Sequence, residues 1–192
     1  MKKIILLALI LTSLYSNQTA DKSKVYVGLS GGYMNEAFSD DAKTTGSAKM
    51  AKFKIGYGIR TAYAIEFSID YLKNTSNVFS TLPAKDGDKY GLNVELIKGF
   101  NWDIFINPYF KAGIGTGIFD IKYYSSNQNS LNYSSFNLGL GFFIPINEHL
   151  DFEVGYDYKY VSYRKLISSN QEILKDLNSN INGVYIGINA RF

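Results

Sequence analysis

The sequence predicts an all-β fold: a single eight-stranded antiparallel up-and-down barrel that spans a membrane. Three observations predict it. Apolar and non-apolar residues alternate with a period of two in eight separate segments, the pattern of strands that show different faces to different surroundings. The connections between segments alternate between short and long. Glycine is concentrated on the polar face of the segments, although it weakens strands and a water-facing surface has no reason to prefer it.

Met1-Lys2-Lys3 precedes an unbroken apolar run from Ile4 to Leu11, extended through Leu14. A short basic region followed by about ten apolar residues marks a secretory signal peptide, and the run is too short to cross a bilayer as a helix. Residues 1–20 are therefore expected to be removed, with the cut after Ala20 and a cut after Ser16 as the competitor. Residues 21–192 form the barrel domain, roughly 170 residues, enough for one domain. The chain has no cysteine, which excludes disulfides, thiol chemistry and a lipid-anchored route. Without Lys2 and Lys3 the formal charge falls from +3 to about +1, unlike the clustered basic surface of a nucleic-acid binder.

The first segment places Val25, Val27, Leu29 and Tyr33 on one face. The second alternates Ala51, Phe53, Ile55 and Tyr57 with Lys52 and Lys54. The third sets Tyr63, Ile65, Phe67, Ile69 and Tyr71 against Glu66 and Asp70. Tyr90, Leu92, Val94 and Leu96 oppose Asn93 and Glu95 in the fourth; Phe110, Ala112, Ile114 and Ile118 oppose Tyr109 and Lys111 in the fifth. The sixth offers Phe136, Leu138, Leu140 and Phe142, the seventh Leu150, Phe152, Val154, Tyr156 and Tyr158 against Asp151, Glu153, Asp157 and Lys159. The eighth sets Val184, Ile186, Ile188, Ala190 and Phe192 against Tyr185, Gly187, Asn189 and Arg191. Each segment has about nine to twelve residues, the length of a tilted membrane-crossing strand.

Short connections are expected at 58–62, 99–103 and 145–149, and long polar ones near 35–47, 73–88, 120–131 and 165–180. Membrane barrels have short periplasmic turns and long outward loops, which places both ends of the chain in the periplasm. In the last loop, Ser169 to Glu172 ahead of Ile173, Leu174 and Leu177 has the pattern of a capping box; a short helix and an irregular loop are both open there. Aromatics gather near the segment ends: Tyr33, Tyr71, Tyr90, Tyr133 and Tyr160 toward the loops, Tyr57, Tyr63, Trp102, Phe152 and Phe192 toward the turns. Two such belts fit the two interfaces of a membrane.

The stretches Val25 to Tyr33 and Asn107 to Gly115, together with the terminal Phe192, resemble the small eight-stranded outer-membrane barrels, the OmpA transmembrane domain and OmpX among them. The resemblance covers the mature chain. It implies a location in the outer membrane of a Gram-negative cell and contact with membrane lipids and lipopolysaccharide. It also implies that the insertion machinery reads Phe192 as an assembly signal. As a departure from full-length OmpA, no peptidoglycan-binding domain is expected after the last strand.

For function, the inward face is the first place to look. Lys52, Lys54, Glu66, Asp70, Glu95, Lys111, Asp151, Glu153, Asp157, Lys159 and Arg191 are expected to point into the lumen. A lumen charge network of Glu66, Glu95, Lys111, Glu153 and Arg191 is expected, with Lys111 and Arg191 as the partners of the three glutamates. Unpaired charges in a tight interior would cost several kcal/mol each. Such a network plugs the barrel; a gated pore for ions or small solutes is the alternative. Enzymes of lipid A on similar barrels use a His, a Ser and a carboxylate. Here the single histidine, His149, sits at a short turn, far from Ser162, Ser134 and Ser135 near the other rim. No catalytic residue, cofactor or metal site is expected. The expected role is structural or adhesin-like, with a host or surface ligand met by the long loops.

Overall fold

The computed structural model describes residues 22–39, 45–74, 87–102, 104–120, 130–167, 173–175 and 177–192. Eight long strands close a barrel: β1 (Lys24–Phe38), β2 (Thr45–Gly58), β3 (Tyr63–Asn74), β4 (Lys89–Gly99), β5 (Asn107–Asp120), β6 (Ser130–Pro145), β7 (Leu150–Tyr163) and β10 (Asn178–Arg191). Each pairs antiparallel with its neighbours in the chain, and β1 meets both β2 and β10, so no edge is left unpaired. Two short strands, β8 (Leu166–Ile167) and β9 (Ile173–Lys175), form a separate hairpin.

The alternation in sequence becomes an inside and an outside. Leu29, Phe53, Phe67, Leu92, Ile114, Leu140 and Ile186 stand on the outer surface, while Lys54, Glu66, Glu95, Lys111 and Glu153 are enclosed. This is the reverse of a soluble domain, and it suits a chain whose outer solvent is hydrocarbon. Inward glycines make room for what lies across the barrel. A Cβ at Gly139 would come within 2.4 Å of the Lys111 side chain and 2.5 Å of the Asp157 carboxylate.

The turns are short and internally bonded. Gly58 has a φ of +153° and a Cβ there would lie 2.2 Å from the Tyr63 carbonyl, so only glycine fits the entry to the β2–β3 turn. Ile59 N–H then donates to that same carbonyl at 2.8 Å. At the β6–β7 turn the amides of Ile146 and Asn147 both donate to the Leu150 carbonyl.

Three sequence expectations are corrected. The strands reach further toward the loops than the alternating segments do: β1 runs to Phe38 and β2 starts at Thr45, inside a region expected to be loop. Backbone pairing continues there because the alternation changes sign instead of ending. Met34, Phe38, Met50, Leu72, Phe119 and Ile181 turn inward, whereas Asn35, Lys49, Lys73, Asn132 and Ser162 face out. Residues 173–175, within the candidate helix, are strand β9 paired with β8; residues 169–172 lie outside the described residues. Tyr133 does not join the outer belt. It points inward, and its hydroxyl donates to the Tyr90 carbonyl at 3.2 Å. The candidate signal peptide also lies outside the described residues.

Candidate functional site: the barrel interior

The interior is stacked in three layers along the barrel axis. At the turn end, Tyr26, Ala64, Ile97, Tyr109 and Phe143 form a small apolar cluster, with the Tyr109 and Phe143 rings 4.4 Å apart. Arg191 lies 4.8 Å from the Tyr26 ring centre and is ion-paired with Asp151, which also takes Arg60 at 2.9 Å.

The middle layer is charged. Glu153 is its hub: it pairs with Lys54 and accepts hydrogen bonds from Tyr109 (2.7 Å), Tyr185 (2.9 Å) and Asn189 (2.9 Å). Lys54 also lies 3.8 Å from Glu66, whose carboxylate accepts from the Tyr26 hydroxyl at 2.8 Å. Lys52 and Lys111 share Asp157, at 2.9 and 3.0 Å, and both approach Glu95, at 3.8 and 3.6 Å. Lys159 pairs with Asp70 at 2.5 Å and donates to Asn93, which in turn accepts from Asn137. Strands β2, β3, β4, β5 and β7 supply the ionisable groups of these pairs. Lys54–Glu66 and Lys111–Glu95 join neighbouring strands; the other pairs are made across the lumen.

At the loop end the interior becomes apolar again. Met34, Phe38, Leu72, Phe119, Leu131, Val161, Leu177 and Ile181 are packed there as in the core of a soluble domain. Within them sits the ion pair Glu36–Lys89 at 2.5 Å. The other Glu36 oxygen accepts from Ser179 at 2.6 Å and Tyr163 at 2.9 Å, and the Lys89 ammonium lies 4.1 Å from the Phe119 ring centre. A cation surrounded by one carboxylate and an aromatic face is a satisfied buried charge.

Of the five residues expected to form the network, Glu66, Glu95, Lys111 and Glu153 share the middle layer, and Arg191 does not. The pairing also differs from expectation. Lys54, not Lys111 or Arg191, is the partner of Glu66 and Glu153, because strands β2, β3 and β7 bring those side chains to one level. Lys111 does pair with Glu95, and Arg191 finds Asp151 near the turns. Glu36 and Lys89 were outside the expected set. Their signal was parity: Glu36 continues the inward series of Ser30, Gly32 and Met34, and Lys89 that of Gly91, Asn93 and Glu95.

Phe192 is on the outer surface, 74% exposed, with its N–H donating to the Val25 carbonyl at 2.9 Å. His149 is exposed in the β6–β7 turn, and its amide donates to Asn147. Ser162 lies at the far end of β7, roughly 40 Å along the strand, so this histidine and serine do not meet.

No curated protein sequence matches the chain. Solved structures do. Neisserial surface protein A superposes with a TM-score of 0.70 at 14% identity, covering 90% of this chain and all of its own. The N-terminal barrel of Pseudomonas aeruginosa OprF gives 0.55 at 13% identity, covering 89% of this chain and 100% of that one. Ail of Yersinia pestis gives 0.53 at 15% identity, over 87% and 98%. These likenesses establish the architecture of a small outer-membrane barrel. The outer membrane protein beta-barrel domain model matches residues 4–192, and the chain belongs to that family.

Proposed function

We propose that this protein is a non-enzymatic barrel of the outer membrane whose lumen is a plug and whose loop end acts in structural integrity or surface interaction. The observation that carries the reading is the closure of the interior at three successive levels. A cavity between the middle and loop-end layers, bounded by Met50, Lys52, Asp70, Leu72, Asp157 and Lys159, has a volume of about 20 Å³. That holds roughly one water molecule. An ion or solute passing through would have to separate several buried pairs and part the apolar layer, with no compensating contacts on the way. The charged middle layer is what a small solute or ion pore would use, and it is the reason that alternative is tested.

Conductance across planar bilayers tests it directly. The plug predicts no reproducible openings at ordinary salt and voltage; steady single-channel steps would establish the pore instead. Mass spectrometry of lipid A from cells with and without the protein tests the non-enzymatic reading, with identical spectra expected. Structural neighbours include Ail crystallised with the heparin analogue sucrose octasulfate. That complex supports a surface-ligand role for a barrel of this shape without naming a ligand for this chain. Phe192 is proposed as the residue read by the insertion machinery: Phe192→Ala is expected to reduce assembled barrel in cells while leaving refolding in detergent intact.

A further inference from the structure

Two lysines face each other on the outer surface. Lys49 of β2 and Lys73 of β3 are directly paired in register, and both side chains are exposed. Opposed residues of an antiparallel pair hold their Cβ atoms about 5 Å apart, and like charges placed so are destabilising. Among the described residues no carboxylate forms an ion pair with either lysine. Asp88, just before β4, accepts the Tyr71 hydroxyl.

The level of this pair is informative. Lys49 is also the register partner of Tyr33, a member of the loop-side aromatic belt, and Tyr71 lies one outward position below Lys73. The ammonium groups therefore stand at the boundary where hydrocarbon gives way to headgroups. On the loop side of them, Asn35, Thr45, Gly46, Ser47 and Asn182 border a polar groove of about 380 Å³. On the membrane side, an apolar groove of about 740 Å³ begins at Gly31 and Phe53 and descends past Leu29, Ile186 and Ile188.

Gly31 faces outward, unlike the inward glycines that give way to side chains across the lumen. A Cβ at this position would meet nothing nearer than the Met50 carbonyl, 3.7 Å away. Barrel packing does not require glycine here, and a strand is weakened by it. Its effect is to keep the head of the apolar groove open, directly beneath Tyr33 and Lys49, with Ala51 as its small partner across the strands.

We propose that this face binds one phosphorylated glycolipid of the outer leaflet. A phosphate lies between Lys49 and Lys73, the saccharide lies against the amide-lined groove, and an acyl chain runs down the groove from Gly31. A shared phosphate relieves the repulsion between the lysines. Charge complementarity favours an anionic headgroup, and the polar groove above favours a sugar over a bare glycerol phosphate. The site is on the outside of the barrel, so it does not depend on whether the lumen conducts.

Native mass spectrometry of the full-length protein in detergent, with diphosphorylated lipid A and phosphatidylglycerol as competing probes, provides the test. The wild type is expected to retain lipid A in preference to phosphatidylglycerol. The K49Q/K73Q variant is expected to lose at least about tenfold in lipid A retention, the scale of removing charge-assisted contacts to a phosphate. Gly31→Val, which fills the groove, is expected to weaken retention with both lysines present. Heat-modifiable mobility on gels confirms that each variant is folded, and the lysine variant is expected to be at least as stable as the wild type without lipid. Undiminished retention by folded K49Q/K73Q overturns the proposal. So does equal retention of phosphatidylglycerol, which would make the site one for any anionic lipid.

Discussion

Lys54 on β2 and Glu153 on β7 form an ion pair across the lumen, between strands that are not hydrogen-bonded neighbours. Both side chains are almost wholly buried, and Tyr109, Tyr185 and Asn189 complete the acceptor capacity of the carboxylate. The pair ties opposite walls of the barrel together. Removing one partner leaves the other charge enclosed, which costs far more than the pair contributes relative to an apolar substitute.

Glu153→Ala is therefore expected to destabilise the barrel by about 3–5 kcal/mol. Lys54 would be left with Glu66 alone, at 3.8 Å, and the Tyr109 and Tyr185 hydroxyls would lose the carboxylate and keep only the bond between them. Glu153→Gln should cost less than Glu153→Ala, since the amide oxygen still accepts from Tyr109 and Tyr185 and Lys54 keeps Glu66 as its counter-ion. Unfolding in denaturant, followed by gel mobility without boiling, measures both. An unchanged midpoint for Glu153→Ala would show that the pair is not enclosed.

Two outwardly similar glycine substitutions should diverge. A Cβ at Gly56 would lie 2.2 Å from the Tyr26 ring, which is itself bonded to Glu66, so the ring cannot retreat without breaking the charged layer. Gly56→Ala is expected to cost about 1–3 kcal/mol as overpacking. Gly31→Ala meets no such contact and should be neutral or slightly stabilising in detergent. The same unfolding titration compares them.

Much of this architecture is legible in the sequence. Period-two alternation settles which side chains share a face, and glycine on the polar face assigns that face to the lumen; Phe53, Phe67, Val94 and Val154 are exposed accordingly. Lumen partners were less legible. Pairing across a closed barrel depends on which strands stand at one level, and sequence parity carries no height. That is why Arg191 was matched to glutamates but meets Asp151. The apolar loop-end layer was missed for a different reason. Where a strand leaves the bilayer, water replaces lipid outside and the preferred polarity of the two faces is exchanged. A search for one fixed alternation takes that exchange for the end of the strand, and so it placed Glu36 in a loop.

The exchange of polarity can be tested on one strand. On β10, Ile181 faces the apolar loop-end core, Asn182 faces out above the aromatic belt, and Ile186 faces out within the hydrocarbon. Ile181→Asp buries a charge without a partner and is expected to cost several kcal/mol. Ile186→Asp, on the lipid face, is expected to cost about 2 kcal/mol in bilayers. Asn182→Asp should be nearly neutral, since that face is wetted by water. Were Asn182→Asp as damaging as Ile186→Asp, the membrane boundary would have to lie closer to the loops.

Trp102 offers a depth gauge that needs no label, because it is the only tryptophan in the chain. It lies in the β4–β5 connection with Ile104 and Phe105, and these three side chains are 58%, 52% and 76% exposed. Three large apolar groups on one turn are unfavourable in water. At the periplasmic interface, by contrast, a tryptophan keeps its ring in the apolar region and its N–H among headgroups. In bilayers, Trp102 emission is expected to be shifted to the blue of free tryptophan. Lipids brominated near the headgroup end of the acyl chain should quench it more strongly than lipids brominated near the chain terminus. Emission at the wavelength of fully hydrated tryptophan, insensitive to either lipid, would place this turn in the periplasm and move the inner boundary of the membrane toward Tyr63 and Tyr57.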